Sequence, residues 1–189
     1  MSTRQQVRVG QLGAGFIGQM HSHALRNAGM SRAPSTVEPV LVSIADRDPA
    51  AAEATAERFG WEATSASWEE TLDSGIELFV NAGPNALHAP ASIAAAERGL
   101  AVFCEKPLGR TADEALDIWR GVGQDPRHRT AFLHRFIPAI QKAREIVRGG
   151  ELGDIVSFRS SFLLDMVGAE DRLTWRFSRK AAGTGALGD

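Results

Sequence analysis

The 189-residue chain contains no tyrosine and a single cysteine, Cys104. Without tyrosine there is no tyrosine acid/base of the kind on which short-chain dehydrogenases rely. A lone cysteine excludes an internal disulfide and any zinc site built from several thiolates, and with it a cysteine-ligated zinc alcohol dehydrogenase. An excess of either charge is also missing, since 21 Lys and Arg stand against 23 Asp and Glu. A surface so balanced has no long-range pull on a nucleic-acid backbone or an anionic membrane, so neither is an expected partner. Apolar runs such as Leu78-Phe79-Val80 fall far short of the roughly 20 residues that cross a bilayer. The polar N-terminus leads into a strand pattern rather than the apolar core of a signal peptide, so a cytoplasmic protein is expected. What is present, 43% hydrophobic and 23% charged residues, suits a globular chain of one domain, or one domain and part of another.

Strand-like and helix-like segments alternate from the start, the pattern of a parallel sheet wrapped by helices. Strands are predicted over 7–12, 40–45, 76–81, 100–104 and 130–133. Helices are predicted over 17–28, from Asp48 or Pro49 to Phe59 ahead of Gly60, over 89–98 and over 138–148. Ser67 with Glu70, and Thr111 with Glu114, match the capping box and should each open a helix. From 155 to 164 polar and apolar residues alternate, as in a strand with one buried face. That change of style suggests a second domain from about residue 135, built on a sheet with one open face.

Gly13-Ala14-Gly15-Phe16-Ile17-Gly18 reads G-x-G-x-x-G between the first strand and the first helix. The three glycines serve the tight turn, the approach of backbone to a pyrophosphate, and helix-on-strand packing. In this context they predict a Rossmann-type doubly wound sheet that binds a dinucleotide, with Phe16 and Ile17 in the binding turn. Asp46 ends the second strand 28 residues beyond Gly18, against roughly 20 in the usual fingerprint, and the loop over 31–38 accounts for the excess. Its carboxylate suits the adenosine ribose hydroxyls and would repel a 2′-phosphate, whereas Arg47 beside it could accept one. NAD is therefore the expected cofactor, with NADP open.

Cys104-Glu105-Lys106-Pro107 closes a later strand, and ligands of open α/β sheets bind beyond the carboxyl ends of strands. A lysine there could exchange a proton with a substrate hydroxyl; a solvated turn lysine is the alternative reading. Here the residues resemble a known family. The segments G-A-G-F-I-G at 13–18, G-P-N-A-L-H at 83–88, G-L-A-V-F-C-E-K-P-L at 99–108, H-R-F-I-P-A at 134–139, G-E-L-G at 150–153, and T-W-R-F with the terminal G-T-G-A-L-G-D are similar to the Gfo/Idh/MocA oxidoreductases.

The resemblance implies a dinucleotide domain, expected over 1–134, and the start of a C-terminal α/β domain for substrate and oligomer contacts, expected over 135–189. It implies oxidation of a CH–OH group of a sugar, inositol or related polyol with NAD or NADP, and a homo-oligomer in the full-length protein. By the same resemblance Lys106 is the catalytic lysine and Glu105 helps position the cofactor. Gly83, Pro84, Asn85 and His88 form the loop beneath the nicotinamide ribose, and Trp175 and Arg176 reach over the cofactor. Asp189 is the aspartate of the family's D-x-x-x-H motif, whose histidine would follow four residues later, so a truncated chain is expected. Leu133 stands where the family often has Asn. A non-catalytic dinucleotide-binding module remains the alternative.

Other candidates point away from chemistry, and His21 and His23 read as structural or surface residues. His21 and His23 lie two apart on one helix, not the four apart that suits a metal pair, and no metal is expected. Cys104 reads as a small buried filler, and Trp61, Trp68 and Trp119 as packing aromatics. Asp165 follows the apolar 155–164 segment as either a substrate contact or a strand-end turn.

Overall fold

A computed structural model describes residues 4–30, 36–163 and 174–183. Its centre is a parallel sheet of β1 (Gln5–Leu12), β2 (Val37–Ala45), β3 (Ala63–Ser65), β4 (Leu78–Asn81), β5 (Ala101–Cys104) and β6 (Arg129–Thr130). The strand order is β3-β2-β1-β4-β5-β6, which is the doubly wound order with its switch point between β1 and β4. Leu12 pairs with both Ala45 and Asn81, Asn81 with Cys104, and Cys104 with Thr130. The strands thus end level, and the loops that begin at Gly13, Asp46, Ala82 and Glu105 leave the sheet along one edge.

Both faces of the sheet are buried, as a parallel sheet requires. One layer gathers Leu12, Val42, Phe79 and Val102, the other Val9, Ile44, Phe59, Trp61 and Val80. The parity of β2 flips in mid-strand. Val9 pairs with Leu41 but Gly10 with Ser43, so Val42 is an extra residue, and Leu41 and Ile44 share one layer while Val42 and Ala45 share the other. Without that bulge the two ends of β2 could not both bury their apolar residues.

The helices α1 (Phe16–Arg26), α2 (Pro49–Phe59), α3 (Trp68–Leu72), α4 (His88–Glu97) and α5 (Ala112–Val122) connect the strands. Asp48 caps α2 by accepting from the Ala50 N–H, Pro49 fills its first turn, and Gly60 closes it in the left-handed region at φ +78°. Ser67 and Thr111 cap α3 and α5 by accepting from the N–H of Glu70 and Glu114. In both, the glutamate reaches one residue further back than the standard box, to the N–H of Ala66 or Arg110. β3 was not predicted; three residues are too short for a periodic signal.

Chain contacts divide the protein into two units, Met1–Ala131 with Trp175–Asp189, and Phe132–Thr174. The first holds the sheet, α1 to α5, a turn at Trp175–Phe177 and a short helix after it. The second holds α6 (Pro138–Arg148), where the sequence predicts it. The strand expected over 155–164 is corrected: residues 155–163 form none, and Val156 and Phe158 are almost fully exposed. Alternation specifies which face a strand buries, but a strand also needs a neighbour to bond to, and among the described residues none stands beside it. Leu164 lies outside the described residues.

Candidate active site

The glycine turn is shaped by what its glycines lack. Gly13 has φ +103°, and a Cβ there would strike the Ala82 carbonyl at the mouth of β4. A Cβ on Gly18 would strike the Gly13 carbonyl, so helix and turn touch only because neither position carries a side chain. Gly15, the N-cap of α1, is exposed, with open space where its Cβ would be and no side chain capping the helix. The positive end of an 11-residue helix is therefore left open at the carboxyl edge of the sheet, where a pyrophosphate fits. Phe16 is largely exposed on the rim and Ile17 half-buried.

Beneath the turn lies a polar support that the sequence reading missed. Gln11, fully buried in β1, brings Nε2 within 2.8 Å of the Gly13 carbonyl and 2.9 Å of the Gly18 carbonyl. Ser22 Oγ also donates to Gly18, and accepts from Trp61 Nε1 at 3.2 Å. The signal was a glutamine inside the run Val9-Gly10-Gln11-Leu12 that leads into the glycine turn, where β1 is buried. Asp46 pins the turn from the other side, accepting from the Ala14 N–H at 2.8 Å and the Asp48 N–H at 3.0 Å. A carboxylate has about four acceptor positions, so two remain for ribose hydroxyls. Arg47 beside it is exposed.

The β4 loop is built on Asn81. Its buried amide donates to the Leu87 carbonyl and to Ser92 Oγ, and its oxygen accepts weakly from the Gly83 N–H. Pro84 precedes a turn at Asn85–Leu87, and His88 starts α4. His88 is completely buried, with Nδ1 2.7 Å from the Pro107 carbonyl and Nε2 3.1 Å from the Gly83 carbonyl. It thus staples the G-P-N loop to the E-K-P loop. Burial holds its pKa below the ordinary histidine value against the pull of those two carbonyls.

At the end of β5 the Glu105 N–H donates to the Asn81 carbonyl, and its buried carboxylate is occupied on both oxygens. One accepts from the Lys106 N–H at 3.0 Å, and the other lies 2.7 Å from His21 Nε2. Lys106 is half-buried at the carboxyl edge, its backbone fixed by its neighbour's side chain. Of the two readings of His21, structural or surface, the structure takes the first: it packs edge-on against Phe103 and joins the glycine-motif helix to Glu105. Sequence spacing could not show this, because the two partners are 84 residues apart. Cys104 stays a filler, its thiol pushed up to about 12 by burial. Trp61 is buried and Trp68 packs against the core, but Trp119 is half-exposed.

The Trp175–Phe177 turn belongs to the same unit, and the Arg176 guanidinium lies over the Trp175 ring at 4.7 Å from its centroid. The next helix, α7 (Arg179–Ala182), accepts at its Ala182 carbonyl from Asn85 Nδ2 at 2.9 Å. Asp189 and Asp165 lie outside the described residues. No cluster of three metal-ligating side chains occurs among the described residues, and no helix there is long and apolar enough to cross a membrane.

Comparison with known proteins adds to this geometry. The model of the Gfo/Idh/MocA oxidoreductase family with NAD-binding Rossmann fold matches residues 7–125, and that of the Gfo/Idh/MocA C-terminal domain matches 140–189. The chain belongs to this family. Among Gfo/Idh/MocA proteins it is 39% identical to levoglucosan dehydrogenase of Pseudarthrobacter phenanthrenivorans, over 98% of this chain and 48% of that one. It is 32% identical to inositol 2-dehydrogenase of Rhizobium meliloti, over 79% of this chain and 43% of that one. A solved levoglucosan dehydrogenase in complex with NADH and levoglucosan superposes with TM-score 0.90 at 39% identity, covering 98% of this chain and 50% of that one. The chain thus spans about half the length of the relatives it matches.

Proposed function

We propose that the chain carries the cofactor site and the leading catalytic residue of an NAD-dependent dehydrogenase that oxidises a CH–OH group of a sugar, inositol or related polyol. In this reading 1–134 is the dinucleotide domain and 135–189 the opening of the substrate domain. The observation that carries it is the common edge: the open helix end at Gly15, Asp46, the G-P-N loop and Lys106 all leave the sheet at one level. When bound, NAD supplies the hydride acceptor at the nicotinamide carbon. Lys106 would take the proton from the substrate hydroxyl oxygen while the carbon bearing that oxygen gives up its hydride and becomes a carbonyl; Glu105, itself held by His21, fixes the Lys106 backbone N–H, and Trp175 and Arg176 would lie over the cofactor. Asp189 would orient the reacting groups, the role that the family's D-x-x-x-H motif implies for it. Gly83, Pro84, Asn85 and His88 shape the floor of the nicotinamide pocket, Asn85 and His88 through the backbone they bond rather than by lining it.

Arg47 favours NADP as the second reading, because an exposed guanidinium beside the ribose position suits a 2′-phosphate. A cytoplasmic setting accords with the single cysteine. A homo-oligomer in the complete protein accords with the exposed Phe136, Ile140 and Phe158 of the second unit.

The test is a substitution in the complete enzyme, assayed with levoglucosan, inositols and xylose. Lys106→Ala is expected to lower kcat by about 10²–10⁴ while NADH affinity is kept, because a general base acts on the transition state rather than on cofactor binding. Unchanged turnover would remove Lys106 from the mechanism, and NADH binding with no oxidation of any polyol by the unsubstituted enzyme would favour a non-catalytic dinucleotide-binding module.

A further inference from the structure

Two side chains on separate loops of the sheet edge reach the same short stretch of backbone. Asn85, buried in the G-P-N loop, donates from Nδ2 to the Ala182 carbonyl at 2.9 Å. Arg110, just before α5, donates from Nη1 to the Lys180 carbonyl at 2.6 Å. Arg110 is itself held rigidly: Nε lies 2.9 and 3.0 Å from the two Glu114 carboxylate oxygens, Nη2 also bonds Glu114, and the Arg110 N–H donates to the same carboxylate. Gly183 completes the contact. It lies at φ +86°, and a Cβ there would meet the Arg110 carbonyl at 2.5 Å, so the segment lies directly against the Arg110 backbone. Ala182 is buried in the join.

We propose that Asn85 and Arg110 form a clasp that holds the 175–183 segment on the nucleotide unit, making both of them positioning residues for Trp175 and Arg176. Asn85 then acts on the cofactor through the segment it holds, not by touching it. An amide suits this task because only a neutral donor can bond a carbonyl without burying a charge, and Asn85 is buried. Arg110, more exposed, is a cation whose charge is balanced by Glu114, which leaves one nitrogen free to reach Lys180. What the segment covers rests on the dehydrogenase reading above, but the clasp itself does not.

The test uses the 189-residue chain with Asn85→Asp, which keeps shape and loses the donor, Arg110→Met, which keeps the stem, and Arg110→Lys, which keeps a donor. Amide exchange at Ala182 and Gly183, whose N–H groups bond Ser178 and Arg179, is read first. Losing either bond is expected to speed it about tenfold, the worth of one hydrogen bond, with β1 amides unchanged. NADH titration is read second. Asn85→Asp and Arg110→Met are expected to weaken binding to a similar extent, the double variant no further than either, and Arg110→Lys to restore it. Unchanged exchange overturns the clasp. So does weaker NADH binding in Asn85→Asp alone, which would show direct contact with the cofactor, or additive losses in the double variant. If the unsubstituted chain binds no NADH, the dehydrogenase reading fails while the exchange data still decide the clasp.

Discussion

His88 shows how much one residue can hold together. A neutral imidazole donates one hydrogen bond at a time, yet its two nitrogens face the carbonyls of Pro107 and Gly83, and the ring joins two loops of the site without reaching its surface. Its folded pKa is lowered by burial, whereas the unfolded chain takes a proton at about 6.5. Protons are therefore bound preferentially by the unfolded state. The stability gained by keeping His88 neutral is complete above about pH 6.5 and is lost as pH falls towards the folded pKa. Thermal melts from pH 8 to 5, a range of about three units around that value, should show Tm falling below it, and His88→Gln should flatten that part of the curve. An equal slope in the variant would assign the loss to another group. Gln11 and His21 make the same point about residues: Gln11 bonds the backbone of the glycine turn and His21 bonds the site's acid, Glu105.

At the scale of elements, short-range rules account for most boundaries. Gly60, Asp48, Ser67 and Thr111 mark helix ends because the bond each makes or the conformation each permits is local. α5 illustrates what such an end does for function. Thr111 and Glu114 start the helix, and Glu114 also holds Arg110, so a cap and a clasp share one turn. Thr111→Ala should destabilise the fold by about 1 kcal/mol, measured by urea denaturation, the usual cost of losing an N-cap. No change in the midpoint would mean that tertiary packing alone holds this end. The 155–163 segment is the counter-example: it alternates over Val156-Ser157-Phe158-Arg159, but pairing is a long-range property and the alternation carries no information about it.

At the scale of the whole molecule, the doubly wound order brings loops far apart in the chain to one edge, and a dinucleotide would bridge them. Because such a ligand binds only the folded form, NAD at about 100 times its dissociation constant should stabilise the chain by about 2.7 kcal/mol, seen as a rise in Tm. A larger shift with NADP than with NAD would overturn the role given to Asp46 and favour Arg47. The sequence by itself determined the glycine turn, the acid after β2, the E-K-P lysine and the alternation of strands with helices, since each rests on local conformation or on periodicity that neighbouring residues express. Only the tertiary structure decided that His21 meets Glu105, that Gln11 supports the glycine turn, that β2 carries a bulge, and that Asn85 and Arg110 share a target near residue 182. Those contacts join residues far apart in sequence, and their partners are chosen by how the sheet and its helices pack.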